Sequence, residues 1–149
     1  MIGSKPVRVT GVKSVRDYVL SISFTKGRTF KVDLRDFVQR LKGLRPLRDP
    51  AVFARAEVGE GGFSIEWPGD LDVGADRLYE MALEQNGRAD AAAFIRWRWR
   101  NKLSLSKAAE TLGVSRRMVA YYESGEQEVP RTVLLALKGW EVEQNHAGT

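Results

Sequence analysis

LSLSKAAETLGVSRRMVAYYESG, residues 103–125, sets two serines, each at the head of a helical run, on either side of a glycine turn. Ser104 stands where a helix N-cap belongs. Its hydroxyl can accept a backbone N–H left without an intrahelical partner, and the pattern predicts a helix from Leu105 to Leu112. Gly113 follows where a left-handed turn ends a helix without a Cβ penalty. Val114 fills the elbow, and Ser115 caps a second short helix, Arg116 to Glu123. Two short helices joined by a turn of three or four residues containing glycine make a helix-turn-helix.

The helical period divides this stretch into two faces. Ala108, Ala109, Leu112, Val114, Val119 and Tyr122 converge on an inner surface, with Ala109 small where the second helix crosses the first. Arg116, Arg117, Ala120 and Tyr121 are left outward. In a helix-turn-helix the second helix enters the major groove of a duplex, so this outward face implies double-stranded DNA as a partner. Ser104, Lys107, Ser115 and Arg131 complete the set expected to face it. The alternative is an ordinary helical hairpin with a solvated basic face. Charge is distributed in favour of DNA: the net charge is +5, and Arg96, Arg98, Arg100, Lys102, Lys107, Arg116 and Arg117 fall in one segment that contains only Glu110 as an acid. Residues 118–149 are net acidic.

Residues 91–140 resemble the XRE/Cro family of phage-repressor-type DNA-binding domains. The likeness is carried by Leu-Ser…Ala-x-x-Leu-Gly-Val-Ser-x-x-x-Val-x-x-Tyr-Glu-x-Gly, followed by Pro130 and an apolar helix. It implies an ion pair between the inner arginine of the opening helix and the glutamate that ends the recognition helix, here Arg98 and Glu123. The family usually places Gln directly after the first cap, against a phosphate; this chain has Leu105 there.

The first half has a different rhythm. Pro6–Val15, Tyr18–Phe24 and Thr29–Leu34 carry β-branched and aromatic residues in strand-like runs, with turns at Asp17 and at Thr25-Lys-Gly-Arg28. A short helix is expected around Phe37, Val38 and Leu41, begun at Asp33 or Asp36 and ended near Gly43; a further helical turn starts at Asp49-Pro50. A second hairpin joins Ala54–Val58 to Phe63–Trp67 through Gly59–Gly62, and Pro68-Gly-Asp70 breaks its second strand. Ala75–Gln85 reads as an amphipathic helix with Leu78, Tyr79, Ala82 and Leu83 inward, and Asn86–Asp90 as a linker. The Phe24-Thr-Lys-Gly hairpin, Val32-Asp-Leu34, Leu47-x-Asp-Pro-x-x-Phe53 and Trp67-Pro-x-x-Leu71-Asp with Leu78-Tyr-Glu80 resemble an uncharacterised bacterial domain family in which a small sheet domain precedes an XRE-type module. That likeness covers most of residues 5–83 and implies no known chemistry.

Between the halves, Phe94, Trp97, Arg98 and Asn101 recur at helical spacing, so Phe94 and Trp97 are expected in a helical core. Ile95 and Trp99 fall on another face, with Trp99 expected at an inter-domain or dimer contact. Stacking on single strands would need a continuous exposed aromatic face, which helical geometry divides.

Catalytic constellations are missing from the sequence. There is no cysteine, and the lone histidine, His146, falls in the expected C-terminal tail, so no Ser–His, Cys–His or thiolate metal site can be assembled. Asp70 and Asp72 read as turn residues, and Gly59–Gly62 links strands rather than opening a helix toward phosphate. The expectation is no enzyme, no metal and no cofactor. With no long apolar run, the chain reads as cytoplasmic, without a membrane partner.

The fold expected is therefore α+β: a small sheet domain over residues 1–85 with about five strands, and an all-α repressor-like domain over residues 91–145. The expected function is a sequence-specific regulator of transcription, of the repressor kind. A homodimer on half-sites about 34 Å apart would supply the specificity that one short helix lacks. The alternative is an antitoxin-like module whose sheet domain holds a protein partner while the helices control its own operon.

Overall fold

Leu20, Ile22 and Phe24 alternate with Ser21 and Ser23 in β2 (Val19–Phe24), and this period of two organises the first half of the molecule. The structure, a computed structural model, describes residues 7–25 and 28–147. β2 pairs antiparallel with β1 (Val9–Arg16) on one side and β3 (Arg28–Asp33) on the other, so that Ile22 faces both Val12 and Phe30. The chain continues through α1 (Arg35–Arg40), a 3₁₀ segment over Lys42–Arg48, α2 (Pro50–Phe53), β4 (Glu57–Val58), β5 (Ser64–Trp67), β6 (Leu71–Gly74) and α3 (Ala75–Gln85). β4, β5 and β6 form a second antiparallel sheet.

The core of this unit is aromatic. Phe24 meets Phe30 and the edge of Tyr79 from α3, with centroids 6.3 and 5.1 Å away, while Phe53 lies between Tyr18 and Trp67. The Trp67 indole N–H donates to the Phe53 carbonyl at 2.8 Å, which satisfies the polar atom of a buried ring. Gly62 has a positive φ, and a Cβ there would stand 2.4 Å from the Val9 carbonyl oxygen, so only glycine allows that approach. Leu78, Tyr79, Ala82 and Leu83 of α3 are all buried. Past them, Gln85 exchanges hydrogen bonds with the Asp33 backbone at 2.7 and 2.8 Å, and Asn86 donates to the Lys31 carbonyl at 3.1 Å. Two side-chain amides thus cover the outer edge of β3.

Several expectations need correction. Pro68-Gly-Asp70 ends β5 at Trp67 as expected, but it also closes a hairpin: Trp67 pairs with Leu71, and Gly69 and Asp70 adopt positive φ in the turn. That adds β6, so six strands are present among the described residues. Asp72 lies in β6 opposite Glu66. The strand expected over Ala54–Val58 shortens to its last two residues, and Phe63 falls outside β5 and is exposed. The Asp17 turn includes Tyr18 at φ 64, a strained conformation for a bulky residue that is anchored by its hydroxyl donating to the Arg48 carbonyl. Leu41 is exposed. Lys26 and Gly27 of the expected Thr25–Arg28 turn lie outside the described residues.

One compact unit ends at Asn86 and the next begins at Gly87. The second consists of α4 (Ala89–Arg100), α5 (Leu105–Leu112), α6 (Arg116–Ser124) and α7 (Arg131–Ala147). α4 starts at Ala89, so the connection is shorter than the Asn86–Asp90 linker expected, and Asp90 sits in the first turn of the helix. Phe94, Trp97, Ala108, Ala109, Val119, Tyr122, Val129 and Leu137 form the helical core. Its rings are interlocked: Phe94 lies 5.7 Å from Trp97 and 5.4 Å from Tyr122, and Trp97 meets Trp140 edge-on at 5.6 Å. Trp99 is half-buried, and His146 ends up exposed in the last turn of α7 rather than in an extended tail. The chain as a whole is mixed α/β, with a three-stranded N-terminal sheet followed later by several helices.

Polar clasps hold the ends of α4. At its start, Asp90 accepts from Arg88 and from the Val129 N–H at 2.8 Å. At its end, Arg100 donates both to Glu141 Oε2 at 2.9 Å and to Oε1 at 2.7 Å, and Asn101 adds a third contact at 3.0 Å. Burial, the strongest single influence on the Asp90 carboxyl, pushes its pKa up. The Arg88 side chain and the Val129 and Ala91 N–H groups together outweigh burial and hold it below its ordinary value. Glu141 is likewise lowered, first by Arg100 and then by Asn101. A carboxyl whose folded pKa is depressed stabilises the fold above its unfolded pKa and loses that contribution as pH falls through the folded value. Stability should therefore be flat near neutrality and decline once the pH drops below the ordinary carboxylate range. Thermal melts of the wild type and of Glu141→Gln and Asp90→Asn across acidic pH check this: each variant should show a shallower acid-side decline. Identical pH profiles would contradict it.

Candidate nucleic-acid interface

The α5–α6 pair is set by three local devices. Ser104 Oγ accepts from the Lys107 N–H at 2.9 Å, and Ser115 Oγ from the Met118 N–H at 3.0 Å, which fixes where each helix begins. Gly113 adopts φ 71 and ψ 29, a left-handed C-cap that turns the chain within three residues. Gly125 ends α6 in the same way, at φ 81. Leu112 and Val114 pack partly buried against the core, as does Leu105. Leu105 is thus an apolar anchor for the first turn of α5 and offers no polar group outward.

Only one face of α6 remains open. Val119, Tyr122, Glu123 and Ser124 are buried, Ala120 and Tyr121 half-buried, and Arg116 and Arg117 exposed in the first turn. Arg116 Nη1 lies 3.4 Å from Ser106 Oγ, which places its guanidinium along the start of α5. Lys107 is exposed, with Glu110 one turn away at 3.8 Å; so open a pair contributes little. Arg131 is exposed in the first turn of α7. The sequence-derived set therefore lies at the start of α5, along one side of α6 and at the start of α7.

Beneath that surface, Arg98 and Glu123 form a two-pronged ion pair, Nε to Oε2 and Nη2 to Oε1, the second at 2.7 Å. Both residues are 4% exposed. The remaining reach of the guanidinium goes to the Leu103 carbonyl at 3.0 Å. One side chain thereby joins α4, the segment before α5 and the end of α6 in a bidentate geometry that only arginine supplies.

Sequence reasoning missed a second polar anchor. Arg88 donates to the Gly125 carbonyl and, at 3.1 Å, to that of Gln127, while its partner Asp90 takes the Val129 N–H. These residues fell in a stretch read as linker, and their partners lie 37 to 39 positions away. The only local signal was an acid placed in the first turn of a helix.

Among the described residues no helix is long and apolar enough to cross a membrane. Residues 9–84 match the family described as a protein of unknown function, DUF2442. This is the segment whose motifs resemble an uncharacterised bacterial domain. Among solved structures, the chain is similar to a crystal structure described as a "putative DNA binding protein", NE0471, from Nitrosomonas europaea ATCC 19718. The two are 38% identical over 95% of this chain and 90% of that one, with a TM-score of 0.71. No curated protein matches.

Removing the carboxylate of Glu123 should leave a buried guanidinium without its counter-charge. Glu123→Gln is expected to lower the unfolding free energy by roughly 3–5 kcal/mol, read by urea titration. A variant as stable as the wild type would show that the pair does not hold α4 to α6.

Proposed function

The chain belongs to the DUF2442 family, and we propose that this member binds double-stranded DNA through α5 and α6, acting as a sequence-specific regulator of transcription. On this reading α5 and α6 are a helix-turn-helix of the XRE/Cro kind, α6 is the recognition helix, and a homodimer presents two copies to half-sites about one helical turn apart. The observation that carries the reading is the open face of α6. Its first turn exposes Arg116 and Arg117 at the point where such a helix meets base edges, and its inner side is held by a buried ion pair. The similarity to NE0471 supports the reading, as does the concentration of positive charge between Arg96 and Arg117.

Within it the residues divide by task. Arg117 takes a guanine through O6 and N7, a bidentate match that the major groove offers at only some base pairs. Arg116, drawn toward Ser106, is shared between base and backbone. Ser104, Lys107, Ser115 and Arg131 meet phosphates, which fix register without reading sequence, and Ala120 and Tyr121 complete the contact along α6.

Arg117→Ala decides between base and backbone contact. On duplexes selected from a random pool it should weaken binding by about 1–3 kcal/mol and relax preference at one base pair of each half-site. A uniform loss on selected and scrambled duplexes, with the salt slope lower by about one, would reassign Arg117 to phosphate. Unchanged affinity on both would remove α6 from the groove.

A further inference from the structure

The connection from α6 to α7 is held by side chains rather than by secondary structure. Between Gly125 and Val129, two carbonyls and one N–H are satisfied from the start of α4: Gly125 and Gln127 by the Arg88 guanidinium, and Val129 by Asp90. Arg88 and Asp90 are themselves paired, at 3.2 Å, with side chains only 18% and 21% exposed. From within the connection, the Gln127 N–H returns to the Tyr121 carbonyl of α6 at 3.2 Å. Val129 is buried in the helical core, and Arg131 follows two residues later, exposed. Nothing in the catalogue of DNA-facing side chains explains why a linker-adjacent arginine should grip a loop beyond α6.

We propose that Arg88 and Asp90 are positioning residues for DNA backbone contact: by clamping Gly125–Val129 they fix Arg131 relative to α6, so that one protein surface meets both a base edge and a flanking phosphate. The inference rests on the DNA-binding reading above and adds to it two residues that touch no DNA themselves. The physical basis is entropic. A connection of this length left free would have to be ordered when DNA binds, at an entropic cost for each residue fixed. A guanidinium fork that already holds two carbonyls removes that cost before the encounter. Lysine keeps the charge of Arg88 but has no planar fork, so Arg88→Lys separates the clamp from simple electrostatic attraction.

The test is a double-mutant cycle on a fluorescent mixed-sequence duplex, with affinity measured over a range of salt, because phosphate contacts are sequence-independent and set the slope. Arg131→Ala should lower the salt slope by about one. Arg88→Lys, with net charge unchanged, should lower it by a similar amount, and adding Arg131→Ala to Arg88→Lys should take away nothing further. Asp90→Asn, which keeps an acceptor for Val129 but releases Arg88, serves if Arg88→Lys does not fold; it should lower the slope despite its gain of positive charge. If Arg88→Lys or Asp90→Asn keeps the full slope and Arg131→Ala removes about one unit in every background, the clamp is structural only and the proposal fails, while the DNA-binding reading stands. If the wild type shifts no duplex at any salt, the reading fails and carries the proposal with it.

Discussion

A buried positive charge has to be met, and in this protein the Arg98 guanidinium meets it by drawing three segments together. Both carboxylate oxygens of Glu123 and the carbonyl of Leu103 surround it, from the end of α6 and the lead into α5. A well-packed apolar cluster would often be as stable as such a pair, so its presence is better explained by what it specifies than by what it stabilises. It specifies direction. With Glu123 tied inward, Val119 and Tyr122 turn into the core and Arg117 is turned away from them into solvent, while Arg116, seven residues before Glu123 and near its side of the helix, is exposed in the first turn. The outward direction of Arg117 thus goes with the inward direction of the one acid of α6.

Local chemistry was legible in the sequence; distant pairing was not. Ser104, Ser115 and Gly113 each act on backbone within three residues, and the helix starts and the turn fall where they were read. The inward set of α3 followed from its period, and α3 runs over the span expected. β6 is not legible from Pro68-Gly-Asp70, which breaks a strand in any case; Gly69 and Asp70 at positive φ also return the chain as a tight hairpin. β4 was overdrawn because edge strands end where pairing ends, a fact of the partner strand and not of Ala54–Ala56. The start of α4 was read late since Arg88 provides no side-chain cap there, its guanidinium being engaged with the loop after α6.

The candidate site divides along the same line. Arg98 and Glu123 were named because a family pattern placed them, although they are 25 residues apart. Arg88 with Gly125, and Arg100 with Glu141, carry no pattern of their own and emerge only once α4 is folded against its neighbours. Leu105 was noted as a departure from the usual glutamine, and its packing against the helical core gives that departure a physical content. With an apolar residue there, the phosphate contacts of the proposed function fall to other groups, Lys107 and Arg131 among them.

On the proposed function, DNA meets this chain along α6 and the starts of α5 and α7. Amide NMR during titration with a selected duplex tests it residue by residue. Shifts and line broadening should concentrate at residues 104–107, 115–121 and 129–132, and residues 9–84 should stay at their free positions. Perturbation centred on β1–β6, with α6 unchanged, would contradict it.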